Sequence, residues 1–229
     1  MVDFPTVFPS AQPSGVAVHM HNRSLLRDIG FSVILLVLSF VLSFYAGSFA
    51  TKYISNPVTD IILDNVPVVN VDFIFVEGSL LFWLFVGILL VMHPQRIPFV
   101  FKGLTLFVLV RSTFIIMTHL APYPTMSKFD ANGLMQSFTF GGDLFFSGHT
   151  GSPFLLTLIF WKDPKLRLTF LAATALFGSA VLLGHLHYSI DVFAALFISY
   201  GINDLALFLF RRERALFDDA RGRKYWWQP

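Results

Sequence analysis

Asp143-Leu144-Phe145-Phe146-Ser147-Gly148-His149-Thr150-Gly151-Ser152-Pro153, then the apolar run to Trp161 and the charge at Lys162, is the stretch on which the fold turns. A helix opening at Ser152-Pro153, as a cap followed by a first-turn proline, leaves ten residues before Lys162. That is about half of what a bilayer crossing requires. A helix opening between Asp143 and Ser147 is long enough, and it puts Ser147-Gly148-His149-Thr150 in its first turns. Pro153 then offers no N–H to the carbonyl of His149, four residues back, which is tolerable only beside polar groups or water.

Read this way, the stretch is the fourth of six apolar runs, at residues 30–50, 73–92, 99–120, 144–161, 168–186 and 190–210. The composition agrees: 55% of the 229 residues are hydrophobic and 13% charged, against about 25% charged in a soluble domain. The expected fold is an all-α integral membrane protein with six transmembrane helices. A tail at 1–28 precedes the membrane domain at 29–210, and a basic tail at 211–229 follows it. The first 22 residues, with Pro5, Pro9 and Pro13, read as a loose tail without a cleavable signal peptide. The basic tail reads as an anchor on anionic headgroups.

Cysteine is absent, so neither disulfides nor thiolate metal sites are available. The basic residues fall in short pieces between apolar runs, which excludes a nucleic-acid-binding face. Their distribution predicts orientation. The two tails and the loops at 93–102 and 161–168 carry 13 of the 16 Lys and Arg residues, whereas the opposite connections carry only Lys52 and Lys128. Both termini are therefore expected in the cytoplasm. Residues 51–72, 121–143 and 185–189 then face the periplasm, a lumen or the extracellular space.

Gly184-His185-Leu186-His187-Tyr188-Ser189-Ile190-Asp191 sits on that same side. In a helix His187 and Asp191, four apart, share one face, so the carboxylate can orient the imidazole. His149 supplies a second imidazole. His185, two residues from His187, points elsewhere and is assigned to the rim; His19, His21, His93 and His119 have structural readings. Arg111 lies inside the third run, where a charge is costly. Either an ion pair with a buried acid or a phosphate clamp explains it. Glu77, near the outer end of the second run, either pairs with Arg111, tunes a histidine, or marks a helix start. No zinc pattern such as H-E-x-x-H is present, so no metal and no cofactor is expected.

Gly142-Asp143-Leu144-Phe145-Phe146-Ser147-Gly148-His149-Thr150 resembles the G-D-x-x-x-S-G-H-T motif of sphingomyelin synthases, and His187-Tyr188-Ser189-Ile190-Asp191-Val192 resembles their H-Y-[ST]-x-D-V motif. These enzymes form a branch of the type 2 phosphatidic acid phosphatase (PAP2) superfamily, with a six-span core. Pro57 to Asp60, and Arg111, Thr118, Pro122 and Pro124, are weaker echoes. Gly141 stands where the branch has cysteine and Phe114 where it has threonine. The K-x6-R-P motif of the phosphatases, and the S-R before their second histidine, are missing.

The resemblance implies a lipid phosphotransferase that moves a phospho-headgroup from a glycerophospholipid to a ceramide- or diacylglycerol-type alcohol. His187, oriented by Asp191, would form a phosphohistidine, with His149 as acid and base. Arg111, Asp143, Ser147, Gly148 and Glu77 are the expected substrate-binding residues. The partners implied are the phospholipid donor, the lipid alcohol acceptor and membrane lipid. With water as acceptor the same residues describe a lipid phosphatase or a phospholipase C-like hydrolase. A lipid-binding or transport protein with a dead site is the alternative from another class.

Overall fold

The computed structural model of the chain describes residues 23–127 and 143–219. The expectations for tail 1–22 with His19 and His21, for Lys128, for Gly141-Gly142 and for the tail beyond Asp219 lie outside the described residues. Among those described there is no strand. The helices are α1 (Arg23–Lys52), α2 (Ser79–Met92), α3 (Ile97–Met117), α4 (Gly148–Ile159), α5 (Pro164–Leu183), α6 (Ser189–Leu209) and α7 (Arg211–Asp219). A π turn, Ile74–Gly78, leads directly into α2.

Among the described residues five segments are long and apolar enough to cross a membrane: Arg23–Lys52, Ile74–Met92, Pro94–Met117, Pro164–Leu183 and Ser189–Leu209. This is the make-up of a multi-pass membrane protein. The expected fourth span differs. α4 has 12 residues, about 18 Å at 1.5 Å per residue, against a hydrocarbon core of about 30 Å. Its start is set by Ser147, whose Oγ accepts the N–H of Thr150 at 3.4 Å, and residues 143–147 are not helical. At the other end Asp163 Oδ1 accepts the N–H of Leu166 at 3.2 Å and Pro164 takes the first helical position. These two signals begin α5 four residues ahead of the expected run and close α4 early. Ser147 to Thr150 still fall in its cap and first turn.

α3 is the central helix, with half of its length buried. α1 packs along it, and α4 packs on α5 and α6. Phe99, Phe107, Leu155, Ile159, Phe170 and Ile202 form the heart of the core between them. Gly151 permits the close approach of α4: a Cβ there would lie 2.7 Å from Phe107 Cε2 and 3.0 Å from Ser199 Oγ. Inside α1, Ser32 and Ser39 donate to the carbonyls of Ile29 and Leu36 at 2.8 and 2.7 Å, so neither hydroxyl meets apolar surroundings unpaired.

As far as Asp219 the segment after the last long helix is a helix packed on the bundle. α7 folds under the end of the bundle where α3 begins. Arg214 Nη1 donates to the carbonyl of Ile159 at 3.1 Å, and its guanidinium lies over the rings of Phe99 and Phe217. Lys102 pairs with Glu213 at 2.5 Å and Arg212 with Asp28 at 2.9 Å. Arg96 is fully buried, facing the rings of Phe160 and Phe217. Basic residues that a positive-inside count treats as headgroup anchors are here partly consumed in holding α7. The first helix likewise starts at Arg23, ahead of the boundary expected after residue 28.

Candidate active site

At the opposite end of the bundle, three connections are stitched over the start of α6. The residues between Tyr53 and Val71 supply Asp60, whose Oδ2 accepts the N–H of Ser189 at 2.7 Å and whose Oδ1 accepts those of Ile62 and Leu63 at 2.9 and 3.2 Å. The Tyr188 hydroxyl donates to the carbonyl of Ala121 at 2.9 Å and accepts the N–H of Val58 at 3.3 Å. His185, at φ 53, contacts Thr125 Oγ1 through Nδ1 at 2.6 Å and the carbonyl of Val66 through Nε2 at 3.0 Å. A carbonyl can only accept, so this pairing assigns the proton to Nε2 and leaves Nδ1 to accept from the threonine. His185 is thus a fastener between connections.

This stitching fixes His187. It is not on a helix with Asp191, as the four-residue spacing predicts. α6 starts at Ser189, and Tyr188 is its N-cap. Asp191 is the third helical residue, and its Oδ2 reaches back to the N–H of Tyr188 at 3.0 Å, the reciprocal half of a capping box. The same oxygen lies 3.5 Å from His187 Nδ1. That distance is an electrostatic contact rather than a hydrogen bond, and such pairs commonly tighten only once a substrate is bound. A spacing of four produces the contact by a cap that folds back, not by a shared helical face. Both side chains are buried, Asp191 completely.

The second motif is tied to the first through the backbone: the N–H of Ser147 donates to the carbonyl of Asp191 at 3.1 Å. One turn on, the ring of His149 stacks on Phe75 of the π turn, centroids 4.0 Å apart, with Phe177 edge-on at 6.3 Å. His149 and Arg111 line the same cavity. Arg111 reaches from α3 to this loop. Its Nε donates to the carbonyl of Phe146 at 2.7 Å and its Nη2 to that of Asp143 at 3.2 Å, and its Nη1 lies 2.8 Å from Asp143 Oδ1. A Cβ on Gly148 would come within 3.4 Å of Arg111 Nε, so this glycine leaves the guanidinium room.

Of the residues expected from sequence, His149, His187, Asp191, Arg111, Asp143, Ser147 and Gly148 are therefore gathered at one end of the bundle. Arg111 has an acidic partner, but it is Asp143 on the loop before α4, not Glu77. Glu77 is exposed on the π turn and makes no ion pair with Arg111. Ser147 is engaged as the cap of α4. His119 packs against the rings of Phe49 and Tyr53. At the far end of the molecule burial, then Arg96, pushes His93 down to about 4. Sequence reasoning passed over Tyr188 and Phe75 and left Asp60 as an echo. A tyrosine wedged between His187 and Asp191 was the available signal for the first, and an acid following Pro57 for the third. Nothing in the sequence marks Phe75.

An apolar cavity of about 530 Å³ opens beside this cluster. Arg111, Asp143, Gly148, His149 and Ser152 line one part of it, and side chains of α1, α2 and α3 line the rest. α1 and α2, each largely exposed, stand on either side. A phosphate ester with an apolar tail is the kind of ligand that meets a guanidinium, an imidazole and an apolar trough together.

No curated protein and no solved structure matches the chain. Residues 141–206, which carry both histidine motifs, match the family model described as PAP2 superfamily C-terminal. That match fits phosphatase or phosphotransferase activity and supports placing the chain in the PAP2 superfamily.

Proposed function

We propose that the protein is a lipid phosphotransferase of the sphingomyelin synthase-like branch, transferring a phospho-headgroup from a glycerophospholipid to a ceramide- or diacylglycerol-type alcohol. The observation that carries this reading is the apolar cavity whose polar wall is Arg111, Asp143, Gly148 and His149. The absence of the phosphatase K-x6-R-P motif favours transfer over hydrolysis. The Lys and Arg bias supports both termini in the cytoplasm, the site end at the outer face, and α4 as a short fourth element of a six-span core.

With Nδ1 turned to Asp191, His187 has Nε2 for attack on the phosphorus. The new P–N bond forms as the bond to the diacylglycerol oxygen breaks, and protonated His149 gives that oxygen its proton. The phosphohistidine keeps the headgroup. His149, now neutral, takes the proton of the acceptor hydroxyl, whose oxygen attacks phosphorus and displaces His187. Arg111 balances charge on the phosphoryl oxygens throughout.

Membranes containing the protein, given a fluorescent ceramide or diacylglycerol together with phosphatidylcholine, phosphatidylethanolamine, phosphatidylglycerol or phosphatidylinositol, should yield a new fluorescent phospholipid. A His149→Ala control should not. Release of phosphate or a free phospho-headgroup without a lipid product would assign water as the acceptor and end the transferase reading. Lipid binding that survives with no turnover of any donor would assign a binding protein.

A further inference from the structure

The cavity has a construction that specifies how a lipid tail would lie in it. α1 contributes Leu36, Phe40 and Ser43, and α2 contributes Trp83, Val86, Gly87 and Leu90. Successive turns in each set are three or four residues apart, so each is a single stripe down one helix face. α3 adds Phe101, Leu104 and Arg111 at helical spacing. The stripes also run in a consistent order. α1 and α3 both rise toward the site, as the bond between Ser55 and His119 just beyond them shows. α2 descends from it, starting beside Phe75 and His149. Ser43, Trp83 and Arg111 therefore mark the site end of the trough, and Leu36, Leu90 and Phe101 its distal end. From Arg111 to Phe101 the trough runs about 15 Å along α3 at 1.5 Å per residue.

Gly87 is the odd residue in these walls. Glycine in a membrane helix ordinarily serves a close helix approach, and Gly103 in α3 does so, since a Cβ there would meet Ile159 Cδ1 at 3.3 Å. A Cβ at Gly87 would meet nothing within 4 Å. No packing neighbour requires the missing side chain, and the space in front of it is that of the trough.

Resting on the phosphotransfer reading above, we infer that this trough is an acyl-chain groove and that Gly87 is its gauge. A diacyl phospholipid with its phosphate at Arg111 and His149 lays one chain between the α1 and α2 stripes, past Gly87, toward Leu90 and Phe101. The absence of a side chain at position 87 sets how deep the chain passes.

The test is photolabelling, which needs no turnover. The intact protein is placed in phosphatidylcholine vesicles containing phosphatidic acid with a diazirine at the end of one acyl chain, illuminated, and mapped by peptide mass spectrometry. Label is expected to concentrate on Leu90, Phe101 and Leu104. Gly87→Phe should lower it about ten-fold, the scale of one overpacked contact. Gly30→Phe, on α1 outside the trough with equally open space, should leave it unchanged. Ser43→Phe obstructs the trough from the other wall and keeps the test decisive if Gly87→Phe does not assemble. Label spread evenly over outward-facing Ile34 and Phe197, or unaltered by both obstructing variants, would overturn the groove. His187→Ala separates the two readings: it should abolish turnover while leaving the label in place.

Discussion

Asp60 Oδ2 accepts the backbone N–H of Ser189 at 2.7 Å, joining residues 129 apart at the first residue of α6. His187 lies two residues before that point. The acid of one connection thus pins the helix whose start carries the histidine and Asp191. It also adds a negative charge where the helix dipole favours one.

Asp60→Asn places an amide N–H where one of these oxygens accepts. A loss of about 1–3 kcal/mol is expected, the range for leaving a buried donor without its acceptor, with slower turnover. Burial pushes the Asp60 carboxyl up, but the N–H groups of Ser189, Leu63 and Ile62 outweigh it and hold it below 3.8. The ionised form is the one stabilised, so its contribution is complete above pH 3.8 and disappears as pH falls through the lowered value. Melting temperature of the detergent-purified protein should therefore fall on acidification below about pH 4, and Asp60→Asn should flatten that decline.

Asp191 has two separable duties. As a cap it accepts the N–H of Tyr188, which asparagine also does well. As a charge it faces His187, which asparagine does not. Asp191→Asn is expected to leave melting nearly unchanged while turnover falls about a hundred-fold or more. Asp191→Ala should lose about 0.5–2 kcal/mol as well. Equal turnover in wild type and Asp191→Asn would refute the charge role.

Arg111 and Asp143 form a cycle of their own. Arg111→Ala strands the carboxylate and removes two donors to the backbone of the loop before α4. Asp143→Asn removes only the charge. Thermal unfolding of both single variants and the double variant should give a coupling of about 1 kcal/mol or more, with Arg111→Ala the more damaging single change. Additive effects would mean the pair does not order the loop.

Gly184→Ala should act through packing. Its Cβ would lie 2.5 Å from Val71 Cγ2 and 3.1 Å from Leu186 Cγ. Displacing Val71 is expected to cost about 1–3 kcal/mol and to disturb the turn that delivers His185 and His187. A lower melting temperature and lower turnover should appear together.

Much of this arrangement was legible in the residues. Five of the six apolar runs correspond to long helices, and the two motifs and Arg111 marked residues that the fold gathers at one end of the bundle, because charges inside apolar sequence demand a cause. The length of α4 was not legible. Reasoning from bilayer thickness asks for about 20 residues, while Ser147 and Asp163-Pro164 deliver boundaries that ignore it. The His187–Asp191 contact was right for the wrong local reason, since spacing of four does not distinguish a helical face from a capping box. Asp60, Tyr188 and His185 were hard to assign because their partners lie 60 or more residues away. Only folding brings those connections together.

The π turn at Ile74–Gly78 sets a phase. Within it Phe75 addresses the imidazole of His149; below it Trp83 and Gly87 address the trough. A wider turn accommodates one residue more than an α turn, and each residue is worth about 100° of rotation. Deleting a single residue from 76–78 would leave Phe75 in place and swing the α2 stripe out of the trough. One helix thus serves both the imidazole and the trough, and the angle between its two duties is written in a single extra residue.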